Sequence, residues 1–251
     1  MRIGFICAGR LGNNMIQYIA AELVAMKYGG EVVNNYDKDS IKIDDKRWVH
    51  LMENDSILED GNYVLDGYFQ RGDIFLKYKD KIHELINSEY KLYDNLKFKD
   101  IFKNISIDKE TLVLHLRLDD YNFQEEANVV DHRFYIEEIK NSGKNKVLIV
   151  VDKLRYMQEQ KYIKNIIDGC KGIEFNIQQS DILSDWNTLR CSSYTISSNS
   201  SFAWVSCFFG MLNKDAKFIY PNTGFYKDQK FNIQTENFIS HEVGKINFMV
   251  I

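Results

Sequence analysis

Three short runs of this chain carry side chains and backbone suited to holding an anion, and each lies where an extended segment gives way to a helix or turn. The first is Gly9-Arg10-Leu11-Gly12-Asn13-Asn14. Its glycines let backbone approach a ligand closely, and the free N–H groups of the helix start that follows favour a diphosphate. The spacing stops short of the full G-x-G-x-x-G fingerprint, so a purely structural turn is an equal reading of this run alone. The second is His115-Leu116-Arg117-Leu118-Asp119-Asp120-Tyr121. Residues two apart on an extended segment share a side, so His115 and Arg117 place an imidazole and a guanidinium on one face. A strand-end arginine can clamp a phosphate with two parallel hydrogen bonds, and the histidine can bond a base or a phosphate. The competing reading pairs Arg117 with Asp119 or Asp120 across the turn. The third, Ser197-Ser198-Asn199-Ser200-Ser201, crowds hydroxyls and an amide at a helix start and makes a second anion cradle. A serine N-cap explains one of these serines but not four.

The elements that position these runs can be read from periodicity. Arg2 to Cys7 reads as a strand, and Asn13 to Lys27 as a helix with an apolar stripe from Met15 to Met26, closed by Gly29-Gly30. Val32-Val33 suggests a second strand. Residues 35 to 60 show no clear period, Tyr63 to Tyr68 reads as a strand, and Asp73 to Leu85 as a helix. Arg71-Gly72-Asp73 is expected to open that helix with Asp73 as its cap. Further on, strands at Thr111–Leu116, Lys146–Val151, Ile173–Asn176, Tyr194–Ser197 and a last one at Lys217–Tyr220 alternate with helices at His132–Lys140, 153–168, Asp181–Arg190 and Phe202–Leu212. The unbroken KVLIVV run at 146–151 is typical of a strand covered on both faces. Alternation of this kind implies a parallel α/β sheet, which binds ligands at the carboxyl ends of its strands. All three runs fall there.

Composition narrows the class. The chain has 251 residues, 45% hydrophobic and 27% charged, with a net charge of -4, as in ordinary globular proteins. Acids outnumber bases 36 to 32, which argues against a nucleic-acid partner. Cys7, Cys170, Cys191 and Cys207 form no CxxC pair and read as reduced thiols. No run suits a signal peptide or a membrane span, so a cytoplasmic location is expected, and the sequons at Asn104 and Asn199 carry no weight there. The absence of a spanning run is compatible with a peripheral contact at a membrane surface.

Taken together, the runs resemble a known family. GRLGNNMIQYIAAELVA resembles the opening of the family-11 α-1,2-fucosyltransferases, close to G-x-LGNQMFQYA. LDGYFQ at 65–70 resembles their GYFQ segment, HLRLDDY their HxRRGDY, and DWNTLRCSSYTISSNSSFAW their SNSSFSWW block. The four blocks occur in the family's order from residue 8 to about 210. The resemblance implies an α/β, GT-B-like architecture of two Rossmann-like domains facing across a cleft, with residues 1–104 as an acceptor-side domain and 105–251 as a nucleotide-sugar-binding domain. It implies that His115 and Asp185 touch guanine, that Arg117 grips the β-phosphate, and that Ser200 and Ser201, beside Asn199, complete the phosphate cradle. The turn carrying Gly9, Arg10, Gly12 and Asn13 would approach the diphosphate. The activity implied is inverting transfer of a fucosyl (6-deoxyhexosyl) group from a GDP-sugar to a glycan hydroxyl.

Such a site is chemically sufficient without a metal or other cofactor. Charge grows on the leaving diphosphate in a direct displacement, and fixed donors aimed at it stabilise the transition state more than the ground state. The acceptor proton needs a carboxylate. Asp120, at the family's aspartate position, is the favoured catalytic base, with Asp66, Asp73 and Glu125 as other candidates. Leu118 stands where the family has a second arginine and Asp119 where it has glycine, so a phosphate-side or sugar-side contact is expected to be lost, which leaves room for another GDP-6-deoxyhexose as donor; Val205 stands where it has a second tryptophan, a change on the acceptor side. Two rivals remain: a nucleotide-sugar or glycan-binding relative without turnover, and an NAD-type dehydrogenase using the N-terminal glycine turn.

Overall fold

The structure, a computed structural model, describes residues 1–93, 96–118, 129–213, 216–222, 235, 238–243 and 245–246. These fall in two compact units, one within Met1–Phe102 and the other from Lys103 onward.

In the first unit, strand β1 (Arg2–Phe5) leads into helix α1 (Leu11–Tyr28), followed by β2 (Glu31–Val32), β3 (Ile41–Ile43), α2 (Asp45–Glu53) and β4 (Asn62–Leu65). Two short helices, α3 (Gly72–Lys77) and α4 (Lys79–Glu84), and a small antiparallel pair, β5 (Lys91–Tyr93) and β6 (Leu96–Lys97), complete it. The sheet is parallel, in the order β2-β1-β4-β3.

Helix α1 is more than an amphipathic surface helix. Its buried residues run round the whole cylinder from Leu11 to Ala25, whereas Met26, expected in the apolar stripe, is 37% exposed. A helix apolar all round belongs inside a core, and Gly29, at φ 76°, ends it in the left-handed conformation. The interval 35–60, which shows no period on inspection, holds β3 and α2. Helix α2 is capped by the Asp44 side chain, which accepts from the Arg47 N–H, and it buries Trp48, Leu51 and Met52. The helix expected over 73–85 breaks at Tyr78 into α3 and α4. Its N-cap is Arg71, not Asp73. Asp73 instead pairs with the Arg71 guanidinium at 2.6 Å.

The second unit contains β7 (Thr111–Leu116), β8 (Val129–Val130), α5 (His132–Ser142), β9 (Lys146–Val151), α6 (Met157–Gly169), β10 (Glu174–Gln178), α7 (Ile182–Cys191), β11 (Tyr194–Ile196), α8 (Ser201–Asn213), β12 (Lys217–Asn222), β13 (Phe238–Glu242) and β14 (Lys245–Ile246). The strand expected to be last, β12, is followed by β13, which extends the main sheet, and by β14, which pairs with β8. Six parallel strands lie in the order β10-β9-β7-β11-β12-β13. Numbered in chain order this is 3-2-1-4-5-6, the Rossmann arrangement, whose winding reverses between its first and fourth strands. Here those strands are β7 and β11.

One face of this sheet packs into a continuous apolar cluster. Leu112, Leu114, Leu116 and Leu118 alternate along β7 and its extension and meet Val147, Ile149 and Val151 of β9, Tyr135 and Ile139 of α5, and Tyr162, Ile163 and Ile166 of α6. Helices α7 and α8 pack on each other through Trp186, which makes an edge contact with Phe202 at 5.7 Å and lies 6.3 Å from Phe209. None of the four cysteines is in a disulfide. Among the described residues no helix is long and apolar enough to cross a membrane.

Candidate functional site

The winding reversal brings two of the three polar runs together. Period-two alternation puts the leucines of β7 on the α5 and α6 face, which leaves His115 and Arg117 on the other. The contacts of His115 agree: its ring lies 6.1 Å from that of Phe202 on α8, and its Nδ1 shares a 3.1 Å hydrogen bond with Ser198 Oγ. The backbone is tied as well, the Ser198 N–H donating to His115 O at 2.9 Å. His115 is 7% exposed. Burial, reinforced by the Arg117 charge, lowers its pKa to about 3, so the imidazole is neutral at pH 7.

The serine run continues the same edge. Ser197, Ser198 and Ser200 are buried, while Asn199 and Ser201 are partly exposed. Ser200 ends the turn and accepts the Trp204 N–H on its carbonyl at 2.9 Å, which opens α8. The N–H groups at the start of this 13-residue helix therefore lie beside the polar end of β7, an arrangement suited to an anion.

Asp185 is on α7, at the end of β10 rather than at the reversal. Its Oδ1 accepts from Gln178 Nε2 at 2.8 Å and Ser180 Oγ at 2.6 Å. Burial pushes its carboxyl above the usual carboxylate range, against these hydrogen bonds. Asp185 and His115 thus share the carboxyl edge of one sheet, with β9 between their strands. Ser198 and Gln178 are polar residues that sequence reasoning did not single out individually. Their signal is position: each stands at or just beyond the carboxyl end of a strand in the parallel sheet.

Leu118 does not belong to the polar face. It is 2% exposed and lies within the apolar cluster, because the alternation that exposes Arg117 to one side sends its neighbour to the other. An apolar residue suits this position because it packs in the core of the second unit. Asp119, Asp120, Tyr121 and Glu125 lie outside the described residues.

The first run builds a separate polar edge in the first unit. Gly9 has φ 81°, a conformation that favours glycine. Arg10 is the exposed N-cap of α1, Gly12 is buried within the helix, and Asn13 Oδ1 accepts from Gln70 Nε2 at 2.9 Å. Gln17, fully buried, accepts the Ala8 N–H at 3.1 Å and donates to Gly67 O at 2.9 Å. Gln17 of α1 therefore bridges the loops after β1 and β4, and Asn13 ties the same helix to the second of them. Of the alternative bases, Asp66 pairs with Lys42 at 2.8 Å and Asp73 with Arg71. Among the described residues no group of three His, Cys, Asp or Glu side chains gathers as a metal site.

No protein-family model matches the chain, and no curated protein matches it in sequence. Among solved structures it is similar to a mutant of Arabidopsis thaliana FUT1 in complex with GDP, at 11% identity and TM-score 0.43, over 83% of this chain and 68% of that one. It is similar to the E. coli heptosyltransferase WaaC with ADP, at 11% identity and TM-score 0.46, over 96% and 92% of the two chains. POFUT1 in complex with GDP-fucose matches at 11% identity and TM-score 0.39, over 87% and 97%. The likeness concerns the course of the chain alone.

Proposed function

We propose that this protein is an inverting, metal-independent glycosyltransferase that moves a fucosyl (6-deoxyhexosyl) group from a GDP-sugar to a glycan hydroxyl, forming an α-1,2 linkage. The observation that carries the reading is the meeting of His115, Arg117 and the serine run at the winding reversal of a 3-2-1-4-5-6 sheet, the position at which such sheets take nucleotides. The four sequence blocks running from GRLGNN to SNSSFAW supply the choice of a GDP-sugar.

In this reading the second unit holds the donor. Arg117 grips the β-phosphate, Asn199, Ser200 and Ser201 line the phosphate cradle, and His115 and Asp185 meet the base. The first unit serves the acceptor. The acceptor oxygen bonds to the anomeric carbon as the bond from that carbon to the diphosphate breaks. The charge left on the phosphate falls on donors already fixed in place, and the acceptor proton passes to Asp120. Cysteines outside disulfides fit a reducing compartment, the cytoplasm.

Calorimetry tests the reading directly. GDP, UDP and NAD, then GDP-fucose, are titrated with EDTA present, followed by an assay for sugar release and transfer. GDP binding without added metal, with turnover of GDP-fucose, is the expected result. Preference for UDP or NAD overturns the base assignment.

A further inference from the structure

We infer that Ser198 is a positioning residue that holds the proton of neutral His115 on Nε2 and makes that nitrogen a fixed hydrogen-bond donor to an oxo group of the ligand. The inference rests on the donor-site reading above for the identity of the ligand, though not for the state of the ring.

Ser198 is 3% exposed, and its Oγ lies 3.1 Å from His115 Nδ1. A hydroxyl has one proton to place. Among the described residues the Ser198 hydroxyl has no hydrogen-bond partner other than Nδ1. If Nδ1 carried the hydrogen, the buried hydroxyl proton would be left without an acceptor, which is unfavourable. With the hydroxyl donating instead, Nδ1 accepts and the ring hydrogen sits on Nε2. The Ser198 N–H bond to His115 O at 2.9 Å holds serine and histidine in register, and Phe202 flanks the ring at 6.1 Å. Burial keeps the imidazole uncharged at pH 7, so it offers a donor without adding a positive charge. A donor at this point favours a base edge bearing a carbonyl over one bearing an amino group.

The test has two parts. Imidazole ¹⁵N shifts of the free wild-type protein at pH 7 are expected to show His115 in the Nε2–H form. Ser198→Ala should shift it toward the Nδ1–H form and Ser198→Thr should restore it. A wild-type ring in the Nδ1–H form overturns the inference with no ligand involved. In calorimetry, Ser198→Ala should weaken GDP about tenfold while changing ADP less than threefold, with recovery in Ser198→Thr. Equal losses for both nucleotides overturn the specificity role. If the wild-type protein binds neither nucleotide, the donor-site reading fails while the tautomer result stands.

Discussion

The carboxylate of Asp45 accepts the backbone N–H of Phe69 at 2.6 Å, and Phe69 is fully buried with φ 54°. A bulky residue in the left-handed region is strained by about 1–3 kcal/mol and persists only where its surroundings fix it. Asp45, which also accepts the Tyr68 N–H at 3.3 Å, is the group that fixes this turn. Asp45→Ala should destabilise the protein by about 2 kcal/mol, the usual worth of hydrogen bonds to a charged acceptor, as measured by urea denaturation.

Gly67 follows from the same carboxylate. A Cβ there would overlap Asp45 Oδ2, so Gly67→Ala should be costly in the wild type and distinctly less so with Asp45→Ala. Additive losses in the double mutant would show that the two positions do not interact.

Arg117→Ala should lower turnover of the sugar donor by about 10² to 10³, as when one donor to a developing oxyanion is removed. Activity near the wild-type level places the donor site elsewhere.

Leu118 offers a test in the opposite sense. Because it sits in the apolar cluster, Leu118→Ala should cost about 2–5 kcal/mol, and Leu118→Arg should yield little folded protein. A soluble Leu118→Arg enzyme with raised activity would falsify the core placement.

The depressed pKa of His115 makes a prediction about acid stability. Its folded value is about 3, against about 6.5 unfolded. Between these values the unfolded chain binds a proton that the folded chain does not, so stability rises with pH. The contribution is full above pH 6.5 and is lost as pH falls toward 3. From pH 7 to pH 5 the wild type should lose about 2 kcal/mol more than His115→Gln, as read from urea midpoints at both values. Equal losses would place a charged imidazole in the folded state.

The parts most visible in the sequence were those where local pattern and tertiary setting agree. Thr111–Leu116 is observed with the expected bounds, and the KVLIVV run is a central strand. Helix α2 was hidden because its three buried apolar residues, Trp48, Leu51 and Met52, share nine positions with five polar ones, although the Asp44 cap was available as a signal. The break at Tyr78 and the turn at Phe69 depend on backbone torsions that no residue type there demands. Leu118 shows a different limit. A motif aligned letter by letter suggests a missing ligand contact, whereas the strand's period of two assigns the residue to the core.

The two halves of the polar edge in the second unit are far apart along the chain: the His115–Ser198 hydrogen bond spans 83 residues. Strand β7 can pair with β9 soon after both are made, but its other neighbour, β11, follows two further helices and a strand. Contacts between distant segments form slowly, and a chain emerging from the ribosome folds from its N-terminal side first. This polar edge is therefore completed late in synthesis, and a nascent chain halted before β11 would have a half-built sheet with His115 still waiting for its serine.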